Sequence, residues 1–194
     1  MIVLAIFIFF NINKMENNNL KIGNMAPDFT ASAYFNNTLN NQISLSDFRG
    51  KWVWLFFYPL DFTFVCPTEL YALGKMREEF AKNNCQIVGV SVDSVYAHQA
   101  WAEKDQRIKD LGFPLLSDIT RQISMDYQVL HTDGMSLRGA FLIDGDGVLQ
   151  SIVVNNLNVG RSPQELLRLL KAYQTGDLCP VNWQEGQATL GKAE

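Results

Sequence analysis

An α/β fold with a central mixed β-sheet flanked by helices follows from three features of this sequence. An apolar, aromatic run from Trp52 to Tyr58 precedes a helical pattern that opens at Pro67 and continues through Leu70, Leu73, Met76 and Phe80; a second apolar run, Gln86 to Val92, comes next. Strand, helix, strand in that order is a right-handed crossover between parallel strands. Residues 139–143 and 148–154 flank Asp144-Gly145-Asp146-Gly147, a strong turn signal, and so form an antiparallel hairpin. Finally, 194 residues with 47% hydrophobic and only 19% charged content can bury one sizeable core.

Taken in order, the chain begins with a stretch unlike the rest. Ile2 to Phe10 is wholly apolar and is followed by a largely polar run, Asn11 to Asn19. The apolar part is too short for a bilayer, which takes about 20 residues, and it lacks the basic flank and small-residue cleavage site of a signal peptide. The expectation is a leader over residues 1–19, with residues 1–14 ahead of a true start at Met15 or else disordered, and without stable membrane insertion; an atypical targeting segment is the alternative. Leu20 to Arg49 reads as short strands and turns, with Asn36-Asn37 and Asn40-Asn41 as turn residues and Gly50 as punctuation before the central strand. The first helix should end near Asn83-Asn84.

Val95 to Lys109 reads as one helix, broken by Gly112-Phe113-Pro114, and Asp118 to Tyr127 as another, with Ile119, Ile123 and Tyr127 at helical spacing. The Asp144 turn invites a calcium-loop reading, but the twelfth position of such a loop is Asn155 where glutamate is required, so a plain turn is preferred. Ser162-Pro163-Gln164-Glu165 is a capping box that opens a helix carrying Leu166, Leu167, Leu169 and Leu170, closed by Gly176. The resulting division is a leader over 1–19, a domain over 20–175 and a C-terminal tail over 176–194. A parallel crossover followed by a hairpin suits the thioredoxin-like arrangement.

The chemistry centres on Cys66, at the junction between the central strand and the first helix. Proline is tolerated at the first helical position, so Pro67 places Cys66 at the cap, where backbone N–H groups and the positive end of the helix dipole stabilise a thiolate. Thr63, three residues earlier, can share a ligand with it if the segment turns. Because a free cysteine is a few per cent thiolate at pH 7, full ionisation gains roughly thirtyfold in rate, about 2 kcal/mol. A competent thiol enzyme therefore also needs donors that stabilise its transition state.

Three cysteines without a Cys-x-x-Cys pair point to reduced thiols in a reducing compartment, and a cytoplasmic location is expected. With only those and two scattered histidines, a zinc site is not supported. A net charge of −4 disfavours nucleic acid and anionic membranes as partners. Cys85, beside an apolar strand, reads as a small buried hydrophobe. His98 lies one turn before Trp101 and reads as a packing residue, His131 as an exposed loop residue, and Asp93 as a strand terminator.

Pro59, Thr63 and Cys66 form a Pro-x-x-x-Thr-x-x-Cys motif, accompanied by Ala26-Pro27-Asp28-Phe29, Ser91-Val92-Asp93-Ser94, Ser136-Leu137-Arg138-Gly139, Val159-Gly160-Arg161-Ser162 and Cys179-Pro180. On these motifs the chain resembles the peroxiredoxins from about Leu20 to Trp183, in particular the typical two-cysteine branch that includes the bacterial alkyl hydroperoxide reductase peroxidases. The resemblance implies a thiol-dependent peroxidase acting on hydrogen peroxide and small organic hydroperoxides, with no metal, haem or flavin of its own. It further implies that Cys66 attacks the peroxide, that Thr63, Arg138 and the Cys66 N–H hold it, and that Pro59 shields the site. Glu69 and Arg161 would support the arginine. Cys179 would resolve the sulfenic acid from the partner subunit, and a thioredoxin-like or flavoprotein disulfide reductase would reduce the product. Homodimers and rings of five dimers are implied likewise. The chain departs from the peroxide-sensitive pattern in carrying Lys109-Asp110-Leu111-Gly112 where such members have Gly-Gly-Leu-Gly, and in lacking a Tyr-Phe pair after Cys179. These departures imply a sulfenate resolved before it is over-oxidised.

Overall fold

The computed structural model describes residues 20–193, so the leader expected over residues 1–19 lies outside the described residues. Its centre is β3 (Trp52–Phe57), whose side chains alternate between two buried layers. Trp54 and Phe56 enter one layer, with Leu70, Leu73, Phe80, Trp101, Leu166 and Leu170. Val53, Leu55 and Phe57 enter the other, with Val88, Val90, Tyr127 and Phe141. A strand covered on both faces must be apolar throughout, which is why no polar residue interrupts it. Each fully buried large side chain here contributes about 1.5–3 kcal/mol.

The expected crossover is present: β3 pairs in parallel with β4 (Cys85–Ser91) through α1 (Cys66–Lys82). The hairpin is present too, as β6 (Arg138–Ile143) and β7 (Leu149–Asn155), and β6 lies antiparallel to β3 on its other side. With β1 (Thr30–Phe35), β2 (Thr38–Ser44) and β5 (Leu115–Ser117), the described residues form one mixed sheet of order β2-β1-β5-β4-β3-β6-β7. It is the mixed, thioredoxin-like sheet flanked by helices that the element order predicts. No helix among the described residues is long and apolar enough to cross a membrane.

Several boundaries differ from the sequence-based expectation, each for a local reason. Only Asn36-Asn37 makes the first turn, both residues at positive φ (50° and 59°) as the tight hairpin requires. Asn41 instead pairs with Ala33 inside β2. The single helix expected over 95–109 is two, α2 (Val95–Lys104) and α3 (Gln106–Lys109), because Asp105 is extended and its carboxylate caps α3 through the Arg107 N–H. The helix expected from Asp118 shrinks to α4 (Gln122–Asp126). There the buried Asp118 carboxylate accepts from Ile123 N–H, Ser124 N–H and the Ser124 hydroxyl, so it caps the helix from outside. Strand β5, flanked by Pro114 and Asp118, is too short to show a period. The last helix, α5 (Pro163–Thr175), starts and ends where expected, with the Ser162 hydroxyl accepting from the Glu165 N–H and Gly176 in the left-handed region at φ 65°. The expected capping box is only half formed, because Arg168 takes the Glu165 carboxylate.

Candidate active site

The loop from Tyr58 to Val65 joins the carboxyl end of β3 to α1, and its length decides where the sulfur of Cys66 falls. The helix cap is Val65, so Cys66 is the first helical residue and not the cap itself. Pro59 is buried in the loop. Thr63 is half-buried, and its hydroxyl donates to the Leu60 carbonyl at 2.9 Å. Because that proton is engaged, the oxygen can offer only lone pairs to a ligand. Cys66 itself is fully buried.

Facing the sulfur is Arg138, the first residue of β6, which antiparallel pairing with β3 sets beside the start of α1. Its Nη1 donates to Cys66 Sγ at 3.5 Å and to Glu69 Oε2 at 2.6 Å, and its Nε donates to the Leu157 carbonyl at 2.7 Å. Glu69 is three residues into α1 from Cys66 and so projects from the same face. Its other oxygen accepts from the backbone N–H of Arg161 at 2.7 Å and from Arg161 Nε at 3.0 Å. The Arg161 guanidinium also lies 3.4 Å from the centroid of the Phe56 ring. Burial pulls the Arg161 guanidinium down to about 10, while the Glu69 charge acts to raise it, so it stays charged at neutral pH.

Two guanidinium groups and one carboxylate, all buried, sum to one positive charge that a Cys66 thiolate would neutralise. Such an arrangement stabilises negative charge at the sulfur and at any oxygen bound beside it. Among the described residues no group of His, Cys, Asp and Glu side chains could hold a metal ion.

The structure thus brings Cys66, Glu69, Arg138 and Arg161 together, with Pro59 and Thr63 in the adjoining loop. It does not bring Cys179 to them. That residue follows α5 in the tail, with its sulfur 3.5 Å from Thr175 Oγ1 and 3.6 Å from the Ala172 carbonyl of its own helix. Cys85 is buried, and burial pushes its thiol far above the ordinary range, consistent with a packing role. Labelling of the native protein with iodoacetamide should therefore leave Cys85 unmodified over a time that fully modifies Cys179, as read by peptide mass; comparable rates would contradict that burial.

His98 is buried as expected but does more than pack. Its Nδ1 lies 2.8 Å from Asp61 Oδ2 and its Nε2 lies 3.2 Å from the Leu116 carbonyl. Tyr58 donates to the other oxygen of Asp61, and the Asp61 N–H donates to Asp93, which also accepts from Ser91. Asp93 therefore anchors the loop as well as following a strand. Burial raises Asp61 above the usual carboxylate range, chiefly by desolvation. Sequence reasoning missed this cluster because its side chains, from Tyr58 to His98, lie as far as 40 residues apart with no shared motif. Replacing Tyr58 with Phe should cost about 1–3 kcal/mol, since it leaves one buried oxygen of Asp61 without its donor. Urea denaturation measures it, and an unchanged midpoint would mean that the oxygen finds another partner. His131 is partly buried and pairs with Asp133 at 3.5 Å in its loop.

A buried thiol facing a fixed guanidinium at the carboxyl end of the central strand of a thioredoxin-like sheet defines a thiol-dependent oxidoreductase. Comparison with known proteins makes the class specific. The model of the AhpC/TSA family matches residues 22–152. Peroxiredoxin-2 of Macaca fascicularis is 49% identical over 184 residues, covering 91% of this chain and 92% of that protein. The crystal structure of reduced Plasmodium vivax 2-Cys peroxiredoxin aligns with a TM-score of 0.84 at 46% identity, covering 87% of this chain and 91% of that one. Plasmodium yoelii thioredoxin peroxidase I aligns with a TM-score of 0.75 at 46% identity, covering 86% and 100%. The chain belongs to the AhpC/TSA family and is a peroxiredoxin, a thiol-dependent peroxidase.

Proposed function

We propose that this peroxiredoxin reduces hydrogen peroxide and small organic hydroperoxides through Cys66 and Cys179, in a cytoplasmic, reducing setting. The observation that carries the proposal is the contact of Arg138 Nη1 with the buried Cys66 sulfur, the arginine being locked by Glu69. A peroxide entering beside Pro59 donates its proton to the free lone pairs of Thr63 and accepts from Arg138 and the Cys66 N–H. The thiolate attacks the terminal oxygen, the O–O bond breaks, and charge passes to the departing alkoxide or hydroxide, which takes a proton from water. Cys66 becomes a sulfenic acid.

The resolving step joins that sulfur to Cys179 of a second subunit and releases water, because Cys179 of the same chain is held on α5 away from the site. A dithiol of a thioredoxin-like or flavoprotein reductase then returns both thiols; the thioredoxin peroxidase among the similar structures supports the former. Resolution by a second subunit calls for a homodimer, and rings of five dimers are what the resemblance to the typical two-cysteine branch implies. The test is a non-reducing denaturing gel of reduced protein before and after one equivalent of hydrogen peroxide, with Cys66→Ser and Cys179→Ser alongside. The expected result is a covalent dimer in the wild type alone. A wild type that stays monomeric without losing two hydrogens from its mass overturns the proposal.

A further inference from the structure

Peroxide chemistry uses the first turn of α1, while the middle of the same helix faces a cleft with no part in it. Two cavities, of about 310 and 320 Å³, share Arg77, Asp110 and Leu111 as a common wall. Each is at the lower end of the range of small-molecule sites. Lys75, Arg77, Arg107 and Lys109 line them against the one carboxylate of Asp110, in a chain whose net charge is −4. Asp105 takes Arg107. Arg77 is largely open: Nη1 donates to the Gly74 carbonyl at 3.0 Å, and Nη2 lies 3.9 Å from Glu78. Its stem is fixed, because it crosses Gly112, which is at φ 74°, in the space that a Cβ would fill. The Lys109 ammonium makes no hydrogen bond or ion pair among the described residues. The first cavity also meets the β1–β2 turn at Asn36 and Asn37, and its apolar floor includes Ile108, Leu111 and Phe113. Asn37 Oδ1 accepts from the Tyr34 hydroxyl at 2.9 Å, which orients the amide and leaves its NH2 free to donate.

We propose that the cleft around Arg77 binds a sugar phosphate, that is, a phosphate monoester on a compact hydroxylated body. The phosphate is read by Arg77 and Lys109, which line one cavity: a guanidinium fork and an ammonium together match a dianion, whereas a single carboxylate leaves one cation unanswered. The body is read by the Asn36 and Asn37 amides and by the Asp110 carboxylate, donors and acceptors that suit hydroxyl groups. The positive φ of both asparagines, 50° and 59°, holds those amides at the cavity mouth before any ligand arrives, so little ordering is needed on binding. A cavity of about 310 Å³ admits one ring and its phosphate. Bound there, the ligand ties α1, through Arg77, to the end of α3, through Lys109. None of these residues touches Cys66 or its arginine, so the site is separate from the peroxidase centre and does not depend on the reading given for it.

Isothermal titration calorimetry of the reduced full-length protein, at constant ionic strength, tests the proposal with glucose 6-phosphate, inorganic phosphate and glucose as probes. Glucose 6-phosphate should bind saturably at about one per chain with a dissociation constant of about 0.1–1 mM, inorganic phosphate about tenfold more weakly, and glucose without measurable heat. Arg77→Gln and Lys109→Gln should each weaken glucose 6-phosphate by about tenfold or more, the loss of one charge-assisted hydrogen bond. Asn37→Gly, which tolerates the positive φ, should weaken glucose 6-phosphate and leave inorganic phosphate unchanged. Unchanged thermal denaturation of each variant shows that it is folded, and Lys109→Gln, at an exposed position, serves if Arg77→Gln is not. No saturable heat from glucose 6-phosphate up to about 10 mM overturns the proposal. So does equal binding to wild type and the two cation variants, which would place the ligand elsewhere. Inorganic phosphate binding as tightly as glucose 6-phosphate would overturn the recognition of a hydroxylated body, and with it the assignment to a sugar phosphate.

Discussion

Replacing Arg138 with Met should slow the reaction of Cys66 with hydrogen peroxide by about a hundredfold to a thousandfold, the usual consequence of losing one preorganised donor in an excluded site. The expectation rests on geometry: Nη1 lies 3.5 Å from the sulfur, and the same guanidinium is immobilised by Glu69 and the Leu157 carbonyl. The protein should still fold, because Glu69 keeps its three hydrogen bonds from Arg161. Arg138→Lys should fall between the two, since an ammonium retains the charge but cannot serve sulfur, carboxylate and carbonyl with one rigid fork. Stopped-flow kinetics of peroxide consumption gives the rates. A Met variant within about twofold of wild type would show that the guanidinium contributes little to the transition state.

Glu69→Ala should be the most destabilising single change in the site, at about 3–5 kcal/mol. The carboxylate is buried between two buried guanidinium groups, and without it their charges face one another with no anion other than the Cys66 sulfur to offset them. The loss should also reach catalysis, because Arg138 is held toward Cys66 through Glu69. Urea denaturation of wild type and variant measures the change. A loss below about 1 kcal/mol would mean that water enters and solvates both cations, and the site would then be wetter than its burial indicates.

Much of the fold was legible because its central elements are written in local patterns. The unbroken apolar run of β3, the helical spacing through Phe80 and the Asp-Gly turn of the hairpin each report their own conformation. The elements that were misread carry weaker signals. Three residues of β5 show no period, and the cap at Asp105 looks like any surface aspartate within a helical run. In the site, Cys66 stood out by position, at a strand-to-helix junction before proline. Glu69, Arg138 and Arg161 were reached only through the resemblance to the peroxiredoxins, and no periodicity links them.

The sequence by itself determined the α/β class, the parallel crossover, the hairpin, the cysteine at a helix start and, through its motifs, the family. The tertiary structure alone decided that one carboxylate clamps two arginines 69 and 92 residues further along the chain, that His98 binds Asp61 across 37 residues, and that the tail turns back on Cys179. The physical reason is a difference in range. Backbone preference and hydrophobic period act within a turn or a strand, so neighbouring residues reveal them. The pairing of buried charges depends on which strands lie side by side, and only the packed sheet settles that.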